Sequence, residues 1–375
     1  MKQVLFIFWV LLPLVGISAQ EKQEHSRYSF FHLDVFDYKY YFCNDCEFPK
    51  STHSLTLNLL AGRSENQYGL VIGTLGNLID NKAYGIQIAG LLNRVDNQGK
   101  GLAVAGLLNK YESHIGVQIA PFNGAEKMRG VQIGVNNYST NMKGIQIGFG
   151  NHSADMNGIQ IGFFNETDKS QTLKGLQIGI ANVAKGGFQV GLVNISENNQ
   201  YPLGLVNIIK NGEMNVGLAY DEIGNAIAQF RSGSRHLYGI VGLGYNTKSS
   251  ANHIVLQGGI GAHLNFSSKF KVNAEISIKG VSRTFIYIGR DEEKYEKKRK
   301  EFDFKALTGY SMGFFPSYKF SQKIELFGGP TLNYLQTKTL DNRYLFPSNY
   351  IWQDFNSISL KQLYVGYSVG LKYVL

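Results

Sequence analysis

Two stretches, Gly309-Tyr-Ser311-Met-Gly313 and Gly366-Tyr-Ser368-Val-Gly370, match G-x-S-x-G, the pattern that presents a nucleophilic serine in serine hydrolases. The nucleophile elbow needs a strand, a sharp turn and a helix in that order. Here apolar and small residues alternate straight through both motifs, which predicts that Ser311 and Ser368 sit mid-strand as small side chains on a polar face. Cys43 and Cys46 form a C-x-x-C. A redox site would need a βαβ setting and a zinc site two further ligands nearby, and neither is in view, so a candidate disulfide in an oxidising compartment is the better expectation. The eight histidines are scattered, with no H-x-x-x-H or E-x-x-H pair on one face. Gly258-Gly-Ile-Gly261 is not a phosphate-binding G-x-G-x-x-G and reads as close packing on a strand. No catalytic, cofactor-binding or metal residue is assigned, no cofactor is expected, and the chain is expected not to be an enzyme.

The remaining side chains with chemical potential are charges on strand faces. Lys271, Glu275, Lys279, Lys323, Glu325 and Lys372 each fall on the polar parity of an alternating run and are candidate lumen-facing charges. They either tune a pore or pair with one another across a filled barrel.

These residues must be positioned by strands. Past residue 19 no apolar run approaches the roughly 18 residues that a transmembrane helix needs. There are 43 glycines in 375 residues, 13% aromatics and only 7 prolines, which favours pleated strands joined by tight turns. The first 19 residues look like a secretory leader: Lys2, an uncharged run from Val4 to Val15, then Gly16-Ile-Ser-Ala19. An exported chain is out of reach of nucleic acid despite its net charge of +9, and the basic-looking segment from Arg290 to Glu301 mixes six Lys or Arg with five Asp or Glu, as a solvated loop does.

Between Gly69 and Gly204 the chain repeats itself. Units begin Gly85-Ile-Gln-Ile, Gly116-Val-Gln-Ile, Gly130-Val-Gln-Ile-Gly, Gly144-Ile-Gln-Ile-Gly, Gly158-Ile-Gln-Ile-Gly, Gly175-Leu-Gln-Ile-Gly and Gly187-Phe-Gln-Val-Gly, with looser copies at Gly69, Gly101 and Gly204. Asn93, Asn109, Asn123, Asn151, Asn165, Asn182 and Asn194 follow their glycine by seven or eight residues. Each unit alternates with period two, so each is a strand closed by turn chemistry. Over about residues 55 to 220 the sequence resembles bacterial surface-repeat proteins built on tandem G-[aliphatic]-Q-[aliphatic]-G-x-x-N units. That resemblance implies a surface or outer-membrane location and supplies no catalytic residue.

From His236 onward the strands lengthen. Phe270, Val272, Ala274, Ile276 and Ile278 oppose Lys271, Asn273, Glu275, Ser277 and Lys279, and the last strand ends Tyr373-Val-Leu375. The runs exceed the roughly 9 to 11 residues that cross a bilayer. Connections alternate between tight (231–235, 266–269, 318–322) and longer polar ones (247–252, 283–302, 337–361). Tight turns are expected in the periplasm and long loops, including the highly charged segment from Gly289 to Phe302, outside.

The expectation is an all-β chain: a signal peptide at 1–19, an N-terminal extension with the C-x-x-C at 20–53, the repeat region at 54–217 and outer-membrane barrel strands at 218–375. The first arrangement is an antiparallel transmembrane β-barrel of about 18 strands, made of one strand at Ser54 to Ala61, ten repeat strands, one strand from Met214 to Phe230 and six later ones, with the Ile face toward lipid and Gln toward the lumen. The irregular repeat spacing of 12 to 17 residues and a hairpin at Lys210-Asn211-Gly212 favour it. The alternative is a β-solenoid of repeats joined to a smaller barrel, with Ile filling the core and Gln and Asn as exposed ladders. The expected function is a non-enzymatic outer-membrane or cell-surface barrel of a Gram-negative bacterium, structural or pore-like. Its partners would be outer-membrane lipid and the barrel-assembly machinery. The alternatives are a surface-exposed solenoid adhesin or binding module and, remotely, an outer-membrane hydrolase.

Overall fold

The computed structural model describes residues 27–35, 51–168, 173–199, 201–210, 212–248, 253–283, 307–338, 340–356 and 358–375. The expected leader, the Cys43–Cys46 pair and the charged segment from Gly289 to Phe302 lie outside them. The chain divides into two compact units between Ser113 and His114.

In the first unit β1 (Arg27–Asp34), β2 (Ser51–Asn58), β3 (Ala61–Gly73), β4 (Gly76–Ala89) and β5 (Leu92–Ala105) pair in sequence order, and all are parallel. β6 (Leu108–Ile119) spans the division. In the second unit β7 (Phe122–Ile133), β8 (Asn136–Thr167, two coils long), β9 (Lys174–Ala184), β10 (Phe188–Ser196) and β11 (Leu203–Ile209) continue in the same manner. Parallel pairing between successive repeats, without a crossover helix, is a solenoid. The 18-stranded antiparallel barrel is therefore replaced by the alternative architecture, a solenoid and a smaller barrel.

The solenoid is also inside out relative to expectation. In the coil that starts at Gly144, Gln146, Asn151, Ser153 and Met156 are buried, whereas Ile147 and Phe149 are 40% and 50% exposed. Polar side chains can fill this interior because each finds its copy one coil away. Asn123, Asn137, Asn151, Asn165, Asn182, Asn194 and Asn207 form a ladder of Nδ2-to-Oδ1 bonds of 2.8–3.0 Å, each donating to the next. Gln189, Gln177, Gln160, Gln146, Gln132 and Gln118 form a second ladder at 2.8–2.9 Å that donates in the opposite sense. A buried polar group is tolerable when it is hydrogen-bonded, and identical residues in register make that automatic.

The glycines follow from the same stacking. Gly144 has φ +139°, and a Cβ there would stand 1.9 Å from the Gly130 carbonyl oxygen; Gly162 leaves room for the Asn151 amide, which a Cβ would meet at 2.7 Å. Glycine thus stays at the first position, with Gln at the third, and in the coils from Gly130 to Gly187 it also holds the fifth, where Ala89, Ala105 and Ala120 stand in earlier coils. Irregular spacing does not break the stack. Gly158 pairs with Gly175 and Gln160 with Gln177 across a 17-residue interval, and Gln189 pairs with Gln177 across 12. The variation is absorbed between the Asn and the next glycine. The same register shows that Gly204 aligns with Gly191, a fifth-position glycine rather than the start of a unit.

Within the first unit, Asn58, Asn77, Asn93 and Asn109 make the equivalent ladder at 2.7–3.0 Å. Ala103 occupies the Gln place there, and the Tyr111 hydroxyl donates to Gln87 Oε1 at 3.2 Å instead.

The rest of the second unit is a closed antiparallel barrel of eight strands: β12 (Glu213–Asp221), β13 (Asn225–Gly233), β14 (Leu237–Asn246), β15 (His253–Asn265), β16 (Phe270–Arg283), β17 (Leu307–Lys319), β18 (Ile324–Thr337) and β20 (Leu360–Val374). β12 pairs β20 from Asn215↔Val374 to Asp221↔Ser368, which closes it. A short strand, β19 (Trp352–Phe355), extends β20 at the long-loop end. Two boundaries shift. The expected junction at 217/218 falls inside β12, and the segment from Met214 to Phe230 is two strands with a turn at Glu222–Gly224 rather than one. β11 and β12 belong to different sheets, so the strands on either side of the expected hairpin at 210–212 do not pair with each other. The tight turn at 266–269 falls where expected, the one expected at 318–322 occupies 320–323, and the first is shorter, at 234–236, because β13 runs on to Gly233.

Candidate functional site

The barrel's two faces differ in chemistry, although part of the interior is itself an apolar cluster of Ile227, Val255, Val281, Leu307 and Leu335. Outward positions are apolar and aromatic, such as Leu218, Leu243, Ile276, Phe314, Leu332 and Val365, all exposed. Tyr220, Tyr245, Tyr310 and Tyr334 lie toward the long-loop end, while Phe266, Phe270, Tyr318, Phe320 and Tyr373 lie toward the tight turns. Apolar walls bounded by aromatic girdles are the pattern of barrels that face lipid.

The inside holds ions. Arg231 Nε and Nη2 donate to the two oxygens of Glu275 at 3.0 and 3.3 Å, and the Tyr238 hydroxyl donates to Glu275 Oε1 at 2.7 Å. Lys372 Nζ lies 3.3 Å from Glu325 Oε1, and Lys271 Nζ bridges Glu325 Oε2 (3.1 Å) and Glu213 Oε1 (2.7 Å). Lys279 Nζ reaches Asp221 Oδ2 at 2.7 Å. Phe327 is packed between two of the cations, with the Arg231 guanidinium 4.8 Å and Lys372 Nζ 4.6 Å from its ring centroid. Four cations (Arg231, Lys271, Lys279, Lys372) thus meet four carboxylates (Glu213, Asp221, Glu275, Glu325) in a low-dielectric interior where any unpaired member would be costly.

Five of the six candidate lumen charges, Lys271, Glu275, Lys279, Glu325 and Lys372, are inside. Lys323 is not: it lies exposed in the tight turn before β18, with Nζ 5.6 Å from the Tyr373 ring centroid. Its parity is correct, but the strand begins one residue after it. Arg231, Glu213, Asp221 and Tyr238 are not among the expected lumen residues, and a single strand from Met214 to Phe230 with a tight turn at 231–235 leaves Arg231 off the strand. Its parity with Asn225, Ile227 and Gln229 was the available signal.

Space inside is slight. The cavity lined by Asp221, Arg231, Glu275, Lys279 and Phe327 has a volume of about 20 Å³, and its neighbour beside Glu222 and Tyr364 about 10 Å³. Each is about the room one water needs. Ser311 and Ser368 line the larger cavity from mid-strand, as predicted, and no histidine lines it. Among the described residues no group of three or more His, Cys, Asp or Glu could hold a metal ion.

No family model matches the chain, and no curated protein matches it. Among solved structures, the N-terminal β-barrel domain of Pseudomonas aeruginosa OprF aligns at 7% identity with a TM-score of 0.27, covering 44% of this chain and 98% of that one. A de novo designed transmembrane β-barrel aligns at 14% identity with a TM-score of 0.23, covering 44% of this chain and 93% of that one.

The repeat stack ends on the barrel. Asn207 is the last rung, and Ser232 of β13 stands where another coil would: Asn207 N donates to Ser232 Oγ at 2.9 Å, and Asn207 Nδ2 to Ser232 O at 3.3 Å. Gly239 makes room for Leu205, whose side chain packs on against Gly258. A Cβ at Gly239 would lie 2.1 Å from the Leu205 carbonyl oxygen, and one at Gly258 would touch the Leu205 side chain at 3.6 Å. The open edge of β11, otherwise a template for unwanted pairing, is thereby blocked.

Proposed function

We propose that the protein is a non-enzymatic outer-membrane anchor: an eight-stranded barrel that holds a β-solenoid on the tight-turn side of the membrane. The observation that carries this reading is the ion-paired lumen inside an apolar, aromatic-girdled wall. A conduit needs unpaired polar surface and room, whereas here the charges are spent on one another and the free space is the size of single waters. That favours the structural half of the expected "structural or pore-like" role. The apolar wall with its aromatic girdles and the leader-like stretch of residues 1–19 support export to the outer membrane of a Gram-negative bacterium, with lipid and the barrel-assembly machinery as partners.

The solenoid joins the barrel between Ile209 and Glu213, at the end of the tight turns. Short turns belong to the periplasm in such barrels, so the repeats lie on that side. An adhesin or binding module would need them outside, with exposed Gln and Asn ladders that are instead buried. The hydrolase alternative has its serines on strand faces.

The test is reconstitution of the mature chain into planar bilayers together with fractionation of the native host. The expected outcome is recovery with the outer membrane after carbonate extraction, a heat-dependent shift on electrophoresis and no single-channel steps. Soluble recovery would end the membrane reading, and steady ion conductance would end the anchor reading.

A further inference from the structure

The repeats of the second unit carry a surface that a water-exposed solenoid should not have. The second, fourth and sixth positions of each coil point outward, and over six coils they read Val117, Ile119, Pro121; Val131, Ile133, Val135; Ile145, Ile147, Phe149; Ile159, Ile161, Phe163; Leu176, Ile178, Ile180; and Phe188, Val190, Leu192. No Lys, Arg, Asp or Glu interrupts them. Ile133, Val135, Ile147, Phe149, Ile161, Phe163, Ile178, Ile180 and Leu192 are 39–51% exposed. The charges lie on the remaining faces: Glu126, Lys127, Arg129, Lys143 and Glu166 are exposed there. Contiguous apolar surface on this scale marks a place where something other than water sits.

Its continuation identifies the occupant. The rows do not stop in solvent. Val190 pairs with Leu203 and Gly191 with Gly204, so the fourth- and sixth-position rows run into Leu203 and Leu205 and end on the barrel's outer wall at Gly239 and Gly258. Between this last coil and the wall is an apolar cleft of about 240 Å³, lined among others by Pro202, Leu203, Ile260, Ile276, Met312 and Phe314. If the barrel wall is in lipid, so is the surface that merges with it. Dimensions set how deep it lies. Five residues at about 3.3 Å each give a face roughly 16 Å wide, about half the ~30 Å hydrocarbon core.

We infer that this face of the solenoid is a lipid-contacting surface: it beds into the single leaflet nearest the tight turns, with its charged faces in water, and the cleft receives acyl chain. It would be the β counterpart of an amphipathic helix lying in a membrane interface. The inference rests on the membrane reading of the barrel, so the experiment must separate the two.

The mature full chain, with Trp352→Phe as background, is reconstituted into vesicles of phosphatidylcholine with brominated or ordinary acyl chains. Single tryptophans are placed by Phe163→Trp on the apolar face, Phe314→Trp on the barrel wall and His152→Trp on the polar side. Each variant is first shown to keep the parent's heat-dependent electrophoretic shift. The expected result is strong bromine quenching of Phe163→Trp and Phe314→Trp alike, with His152→Trp unaffected. Quenching of Phe314→Trp alone overturns the inference and leaves the barrel in lipid. A Phe163→Trp signal that is blue-shifted but unquenched, and that depends on protein-to-lipid ratio, points to a second copy on this face and also overturns it. If neither is quenched, the membrane reading fails and the inference falls with it.

Discussion

Replacing Gln146 by Leu tests the inverted packing of the solenoid directly. Gln146 Nε2 donates to Gln132 Oε1 at 2.9 Å and to the His152 carbonyl at 3.3 Å, and Gln146 Oε1 accepts from Gln160 Nε2 at 2.8 Å. Leucine removes all three. Gln160 Nε2 keeps its bond to the Glu166 carbonyl at 3.3 Å, but Gln132 Oε1 loses its donor from the next coil. An orphaned buried acceptor costs about 1–3 kcal/mol, and the apolar burial of leucine returns about 1 kcal/mol, leaving a net loss of up to about 2 kcal/mol. Ile147→Ala is the comparison. Its side chain points outward at 40% exposure, so truncation should cost less than about 1.5 kcal/mol. Repeat stacks open locally, so hydrogen exchange is the fitting assay. Amides in residues 130–167 should exchange up to about 30-fold faster in Gln146→Leu and less than about 10-fold faster in Ile147→Ala. With Ile in the core the ranking inverts, because an interior Ile→Ala costs about 2–5 kcal/mol while an exposed Gln→Leu costs almost nothing. That inverted ranking would refute the inward orientation of the amide ladders.

Gly158→Ala should destabilise its coil by more than about 2 kcal/mol, since φ is +147° and a Cβ would stand 1.9 Å from the Gly144 carbonyl oxygen; the same exchange assay reads it. Arg231→Met should weaken the barrel by about 3–5 kcal/mol by stranding Glu275, whereas Arg231→Met with Glu275→Met should recover most of that in urea titrations followed by tryptophan fluorescence. Ser311→Ala and Ser368→Ala should leave both serine-directed labelling and folding unchanged; a fluorophosphonate adduct on either serine in the parent protein would revive the hydrolase reading. His53 is held down to a pKa of about 4 by burial and then by the neighbouring His32 charge. The unfolded chain takes up a proton near 6.5 that the folded one refuses, so the β1–β2 region should have full stability above about pH 6.5 and lose it as pH falls toward 4. Exchange in residues 51–58 measured across that range should show this slope, and His53→Phe should flatten it.

The barrel was legible from sequence because its two faces obey different chemistry. Every other residue from Phe270 to Ile278 is apolar, the intervening ones are polar or charged, and turn lengths alternate, so the six strands after β13 that close the barrel and most of their inward charges followed. Lys323 and Arg231 mark the resolution of that reasoning. Both sit within a residue or two of a tight turn, where parity no longer says which side of the wall a side chain takes.

The repeats were legible as strands and not as a packing, for a physical reason. Alternation separates Ile, Ile and Phe from Gln and Gly but does not say which set faces inward, and the usual rule that apolar residues are buried gives the wrong answer here. What reverses it is a property of the array. A single buried Gln is a liability, yet Gln132, Gln146 and Gln160 in register satisfy one another at 2.8–2.9 Å, and the Asn ladder does the same from the opposite wall. Once the amides are satisfied inside, the aliphatic set is free to face outward, which is stable only where water is excluded. Leu205 lodged against Gly239 and Gly258 shows how that exclusion starts, on the wall of the barrel next door. The G-[aliphatic]-Q-[aliphatic]-G motif therefore encodes two requirements at once, a self-satisfying polar core and an apolar skin, and the second makes sense only with the barrel that follows it in the chain.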